Sequence, residues 1–288
     1  MENFEFDKFL KKSSWRHHYI PKFLINGFVN EKGLLFVYDK VKDEILKKQR
    51  SPKSIFFEPN QNTIDLTKEL KSSILEDYFY QKMDNQTSKI IRYFQTEDIR
   101  KIDFKMQDTS VLLFFLISLF WRIPKTDYAS ENIMKNSIIK SDDSELLKQD
   151  PTYKKLERAG LFKHHIDEMK SYGKKGTMWH NIHKDAIPMF LIGDYPFLHR
   201  TQPNEFRKFC DIDLLFAVSS TRIYSMTNIR MDKITTMNSF CYNAAIIHQS
   251  VKYVASADLN ILKESIDFYK YLKKSGLIHS NENAFRQE

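Results

Sequence analysis

The chain has 288 residues, 42% hydrophobic and 14% aromatic, with 23 Phe and 14 Tyr; this supply of apolar surface excludes a disordered or low-complexity chain. Only 7 Gly and 8 Pro leave too few tight-turn residues for an all-β sandwich. The 45 Lys and Arg against 37 Asp and Glu give a net charge of +8, a lean toward polyanionic partners.

Cys210 and Cys241 are the only cysteines, and they form neither a disulfide framework nor a zinc-ligand spacing. The first residues, MENFEFDKFLKKSSW, lack the apolar stretch of a secretory leader. The most apolar run, Val111–Trp121, falls short of the roughly 20 residues that cross a bilayer and reads as a buried helix. A soluble, cytoplasmic chain with no membrane partner is expected. Oligomeric state is not legible in the sequence.

In chain order, Pro21 opens a helical turn that Gly27 closes in the left-handed region. The apolar runs Leu34–Tyr38 and Glu44–Leu46, joined through Lys40–Asp43, predict a small hairpin. From Ser72 to Phe94, Leu75, Phe79, Met83, Ile90 and Phe94 recur at helical spacing, with polar Asn85–Lys89 interrupting. A second helix is predicted over Met106–Trp121 and another around Ser144–Tyr172. Ser171–Thr177 is the best linker candidate. Ile187–Ile192 and Leu214–Val218 each read as a buried strand, and helices over Ser239–Ala255 and Ile261–Leu272 finish the chain. The expected fold is a single α+β domain over residues 1–288. It is mainly helical, with a small N-terminal β-hairpin, a short C-terminal sheet and a sub-boundary near 171–186.

Among residues that carry chemistry, His17 and His18 come first, because imidazole titrates near neutrality and serves as base, acid or metal ligand. In an extended segment neighbouring side chains point to opposite faces, so one ring would face a site while packing holds the other. Asp194 ends the apolar run Phe190–Asp194, either as a site carboxylate or in an Asx turn with its own backbone. Arg122 follows the central apolar helix and would either clamp a phosphate or cap the helix end. Glu76, in the first turn of its helix, reads as structural. His180 and His183 have the spacing that shares a helix face but lack a third ligand, and His164 and His165 fall in a polar helix. Lys47, Lys48, Arg50 and Lys53 form the densest basic cluster, either a solvated face or a phosphate-contacting loop. Arg16 and Lys22 flank the histidine pair as further substrate contacts. No Walker loop, dinucleotide fingerprint, GxSxG elbow or zinc-finger spacing occurs, so no nucleotide cofactor is indicated.

The segments HHYIPKF (His17–Phe23), VYD (Val37–Asp39), WRIP (Trp121–Pro124) and FLIGDYP (Phe190–Pro196) together make the chain resemble a bacterial family, domain of unknown function 4238. That family's Thr/Ser-Asp-Asn/His-Pro strand end stands here as Gly193-Asp194-Tyr195-Pro196. The resemblance supplies positions and no settled activity. The HHxxP string is also similar to the opening of HNH-type nucleases. The downstream ligands of that motif are absent, since no His lies between His18 and His164.

The expectation drawn from these residues is a nuclease hydrolysing phosphodiesters of DNA or RNA, in a defence or toxin setting. His18 would be the base, and His17 and Asp194 would orient it or bind a divalent ion, Mg or Mn before Zn. Arg122 would stabilise charge on phosphate. The alternative is a non-catalytic binding or sensing module in which the same His, Arg and Asp are structural. A hydrolase of nucleotides or other small phosphates is a third class.

Overall fold

A computed structural model describes residues 15–65, 71–102, 106–126, 155–156, 158–163, 178–200, 212–278 and 281–285. In chain order its elements are β1 (Arg16–His18), α1 (Lys22–Ile25), β2 (Phe36–Asp39), β3 (Glu44–Ile45), β4 (Phe57–Pro59), β5 (Ile64–Asp65) and β6 (Lys71–Ser72). A π-helical turn, Leu75–Tyr80, leads into α2 (Gln81–Thr96) and then α3 (Met106–Arg122). The second half holds β7 (Trp179–Lys184), β8 (Ile192–Gly193), β9 (Phe197–His199), β10 (Leu214–Ser219), β11 (Arg222–Thr227), α4 (Thr236–Gln249), β12 (Tyr253–Ser256) and α5 (Leu259–Lys274).

Two four-stranded antiparallel sheets organise the chain, one in the order β3-β2-β12-β8 and the other β7-β11-β10-β9. The α+β class stands, but the strands are not confined to an N-terminal hairpin and a short C-terminal sheet. β2 and β3 pair through Tyr38↔Ile45, and β2 also pairs with β12 through Val254↔Tyr38, so the hairpin region is one half of a sheet completed from the far end of the chain. The reason is burial: β2 and β12 carry Val37, Tyr38, Val254 and Ala255, all buried, and a two-stranded ribbon alone would leave them wet.

α3 is apolar on nearly every side. Leu112, Phe115, Leu116, Leu119, Phe120 and Trp121 are buried, and α2 packs against it. Helices apolar all round are core helices. Among the described residues no helix is long and apolar enough to cross a membrane. Arg222 on β11 donates to the carbonyls of Phe94 (3.0 Å) and Glu97 (2.6 Å), satisfying the open end of α2.

Several expectations are corrected. Gly27 is not left-handed; it sits in a 3-10 turn, Asn26–Phe28, outside the positive-φ residues. Its requirement is space, since a Cβ there would lie 2.6 Å from Gln95 Nε2 and 2.8 Å from the Val218 carbonyl. Ile187–Ile192 is buried over its second half but enters a ladder only at Ile192. Pro188 has no N–H, the amides of Met189 and Phe190 go to the Ser220 carbonyl, and that of Leu191 goes to the Asn243 side chain. Residues 179–184, part of the expected sub-boundary, form β7, paired along its length with β11. The linker candidate at 171–177 lies outside the described residues, as do His164, His165 and Cys210 and most of the helix expected over Ser144–Tyr172.

A candidate phosphate-binding face and the buried cluster behind it

β1 pairs with β4 through Arg16↔Pro59, His17↔Glu58 and His18↔Phe57, and strand alternation sends His17 one way and its neighbours the other. His17 is wholly buried, Arg16 is exposed and His18 is half-buried. The two histidines therefore belong to different environments.

On the inner face, His17 Nδ1 accepts the backbone N–H of Asn62 at 2.8 Å. A ring nitrogen that receives a hydrogen carries none, so in this tautomer the proton sits on Nε2. Asn62 donates through its side chain to Glu76 (2.7 Å), and Gln61 donates to the Arg122 carbonyl (2.8 Å). The Arg122 guanidinium grips both oxygens of Asp84, at 2.6 and 3.1 Å, and lies 4.5 Å over the Tyr80 ring. Burial opposes the Arg122 charge, but Asp84 and Glu76 outweigh it and hold its pKa above the ordinary arginine value. Arg122 thus neither caps α3 nor presents a free clamp. Four buried atoms here lack a hydrogen-bond partner among the described residues: His17 Nε2, Arg122 Nε, Gln61 Oε1 and Thr63 Oγ1. Such orphans are uncommon in folded proteins, and gathering four in one region marks it as functionally or structurally special.

The outer face is basic and aromatic. The Arg16 guanidinium lies 4.8 Å over Trp15 and 5.3 Å over Phe57, and His18 tilts against Phe57 at 5.7 Å. His18 Nε2 donates to the Pro52 carbonyl at 3.1 Å, which leaves the Nδ1 lone pair available. Lys22 and Lys53 are exposed beside it, and the exposed Lys47, Lys48 and Arg50 lead directly into the turn that His18 bonds.

Burial, reinforced by Lys22, pushes the His18 pKa down to about 4, and burial does the same to His183 on β7. Unfolded imidazole titrates near 6.5, so between pH 6.5 and 4 the unfolded chain takes up protons that the folded one refuses. These two groups contribute stability that is complete above pH 6.5 and lost as pH falls toward 4. The melting temperature is expected to decline across that window, and His18→Gln with His183→Gln should flatten the decline. An unchanged slope in the double variant would contradict the assignment.

Asp194 is elsewhere. Its Oδ1 accepts from the amide of Val251 (2.8 Å), and its Oδ2 from those of Lys252 (2.6 Å) and Tyr253 (3.1 Å). It pins the turn between α4 and β12 and has no contact with His17, His18 or Arg122.

A family model described as protein of unknown function (DUF4238) matches residues 16–259, from the first residue of β1 to the first of α5. The chain belongs to the DUF4238 family. No curated protein matches it, and no solved structure does.

In this DUF4238 chain the expected pairing of His17 with Asp194 around a divalent ion is corrected on the chemistry of the donors. A metal-ligating histidine donates its second ring N–H to an acceptor, whereas His17 Nδ1 faces an N–H donor. The Asp194 carboxylate is taken up by three backbone amides. Among the described residues no group of three or more His, Cys, Asp or Glu is arranged to hold a metal. The helix-face reading of His180 and His183 also fails, because both lie on a strand. His180 Nδ1 meets the Tyr224 hydroxyl at 2.6 Å, and His183 Nε2 meets Ser225 Oγ at 2.9 Å.

Asn62, Asp84, Trp15 and Phe57 escaped the sequence reading. Only Asp84 had a usable signal: a buried arginine needs a carboxylate, though nothing local says which one.

Proposed function

We propose that the protein binds nucleic acid through its phosphate backbone along the outer face of β1. The observation that carries this reading is the Trp15–Arg16–Phe57 stack, with Trp15 and Arg16 exposed and Phe57 half-buried, bordered by His18, Lys22 and Lys53. Exposed aromatic rings interleaved with cations suit bases and phosphates together. The +8 net charge agrees in sign. The triple variant Lys47→Glu, Lys48→Glu and Arg50→Glu is expected to weaken binding of a fluorescein-labelled oligonucleotide at least tenfold at 100 mM salt, and to flatten its salt dependence. Unchanged affinity would remove the basic loop from the interface.

Phosphodiester hydrolysis is the narrower form of this reading, favoured by one observation: His18 is fixed by Pro52 with its Nδ1 lone pair free. Burial first, and then Lys22, Arg122 and Arg16, depress its basicity; a bound phosphate offsets the part that the cations contribute. In this form His18 takes a proton from the attacking water, and Arg16 and Lys22 hold the phosphate. Cleavage of single- or double-stranded DNA or RNA by the wild type, lost in His18→Ala, is the expected result. Intact substrates with Mg²⁺ or Mn²⁺ present, under conditions where they bind, would leave the binding module without catalysis. The internal engagement of His17, Arg122 and Asp194 favours that second reading.

A further inference from the structure

A second site lies on the other sheet. β7 is an edge strand, and against it, beside β11, is a cavity of about 240 Å³ lined by Trp179, His180, Asn181, Ser225, Thr227 and Arg230, among others. Trp179 is 51% exposed, so part of its ring remains open to a ligand. Arg230 lies 5.8 Å over its ring and is held there by Asp232 at 2.7 Å. The Thr227 hydroxyl, on a wholly buried residue, has no hydrogen-bond partner among the described residues. Asn181 also lines an adjoining cavity of about 310 Å³. That second cavity carries Arg100, Lys184 and Lys233 against Asp185 and Asp232.

The two cavities differ in chemistry and share a wall. The first offers an aromatic face, a stacked guanidinium and buried hydroxyls; the second offers the ammonium groups of Lys184 and Lys233, its Arg100 being paired with Asp98 at 2.7 Å. We propose that this pair of cavities binds one nucleotide unit, with its base against Trp179 and its phosphate toward Lys233, which follows the Asp232 that pairs with Arg230. The ring is recognised by stacking and by the polar lining at Thr227 and Asn181. The phosphate is recognised by point charges rather than by a glycine-rich loop, which is consistent with the absence of any Walker or dinucleotide fingerprint in the sequence. His183, which lines the second cavity, is held neutral by its burial against the opposing pull of Asp232, so it adds a hydrogen bond and no charge. The site is separate from the β1 face and does not depend on that face binding nucleic acid.

Titration calorimetry on the full chain with adenosine 5′-monophosphate, adenosine, inorganic phosphate and a ten-nucleotide oligonucleotide tests this. The monophosphate should bind at least tenfold more tightly than adenosine or phosphate alone. Trp179→Ala should weaken it about tenfold or more without lowering the melting temperature, because the side chain is half in solvent. Lys233→Glu should weaken the monophosphate and leave adenosine unchanged. Lys47→Glu with Lys48→Glu should leave monophosphate binding intact, which separates this site from the basic loop. Oligonucleotide binding that falls in Trp179→Ala, with no monophosphate binding, keeps the site and assigns its nucleotide to a strand. Neither ligand responding to Trp179→Ala would overturn the proposal.

Discussion

Arg122→Ala is expected to destabilise the fold by about 3–5 kcal/mol, because it strands a partly buried carboxylate whose ion-pair partner among the described residues is that guanidinium. Arg122 is 2% exposed at its side chain and Asp84 25%, so solvent screens the pair weakly. For a chain of this size the melting temperature should fall by roughly 10 °C. Arg122→Lys should recover little, since an ammonium cannot grip both oxygens of Asp84 while lying flat over Tyr80. Asp84→Asn combined with Arg122→Ala should cost less than the sum of the singles, with a coupling above about 1 kcal/mol. Strict additivity, measured by chemical denaturation, would show that the ion pair is incidental.

Asp194→Asn should be nearly as damaging, at about 2–4 kcal/mol, although the shapes are almost identical. The carboxylate accepts from three successive residues, Val251, Lys252 and Tyr253. An amide replaces one acceptor oxygen by a donor that faces backbone N–H groups, and charge-assisted bonds of this kind are among the stronger ones. The lesion should be local: hydrogen exchange at those three amides should quicken before the rest of β12 responds. Gly193, just before Asp194, fixes the approach, because a Cβ there would lie 2.2 Å from Ser250 Oγ and 2.9 Å from Ile246 Cγ2. Protection unchanged in the variant would mean that the turn is held by its packing and not by Asp194.

What could be read in the sequence was local. The Val111–Trp121 run lies within α3 because a helix apolar on all sides announces itself by composition, and the alternation that separates His17 from His18 follows from strand geometry alone. What could not be read were partners distant in the chain. Arg122 meets Asp84 across 38 positions, and Asp194 meets Val251 across 57. Local reasoning could therefore weigh a helix cap or an Asx turn, but not the contacts that form. Ile187–Ile192 reads as a strand by its apolar content, yet Pro188 and the pull of Ser220 and Asn243 divert its amides. The spacing of His180 and His183 shares a face only on a helix, and the chain there forms a strand, at a sheet edge among the described residues. Their spacing then sends them to opposite faces.

β1 sets two neighbouring side chains to different tasks, and the affinity of Arg16→Ala and His17→Ala for a labelled single-stranded oligonucleotide, measured across a salt series alongside their melting temperatures, reads both. Arg16→Ala is expected to melt like the wild type, bind several-fold more weakly and show a salt slope reduced by about one. His17→Ala should melt at a lower temperature and, while folded, bind like the wild type. Binding lost with His17 and untouched by Arg16 would contradict this division, as would a wild-type protein that shows no salt-dependent binding.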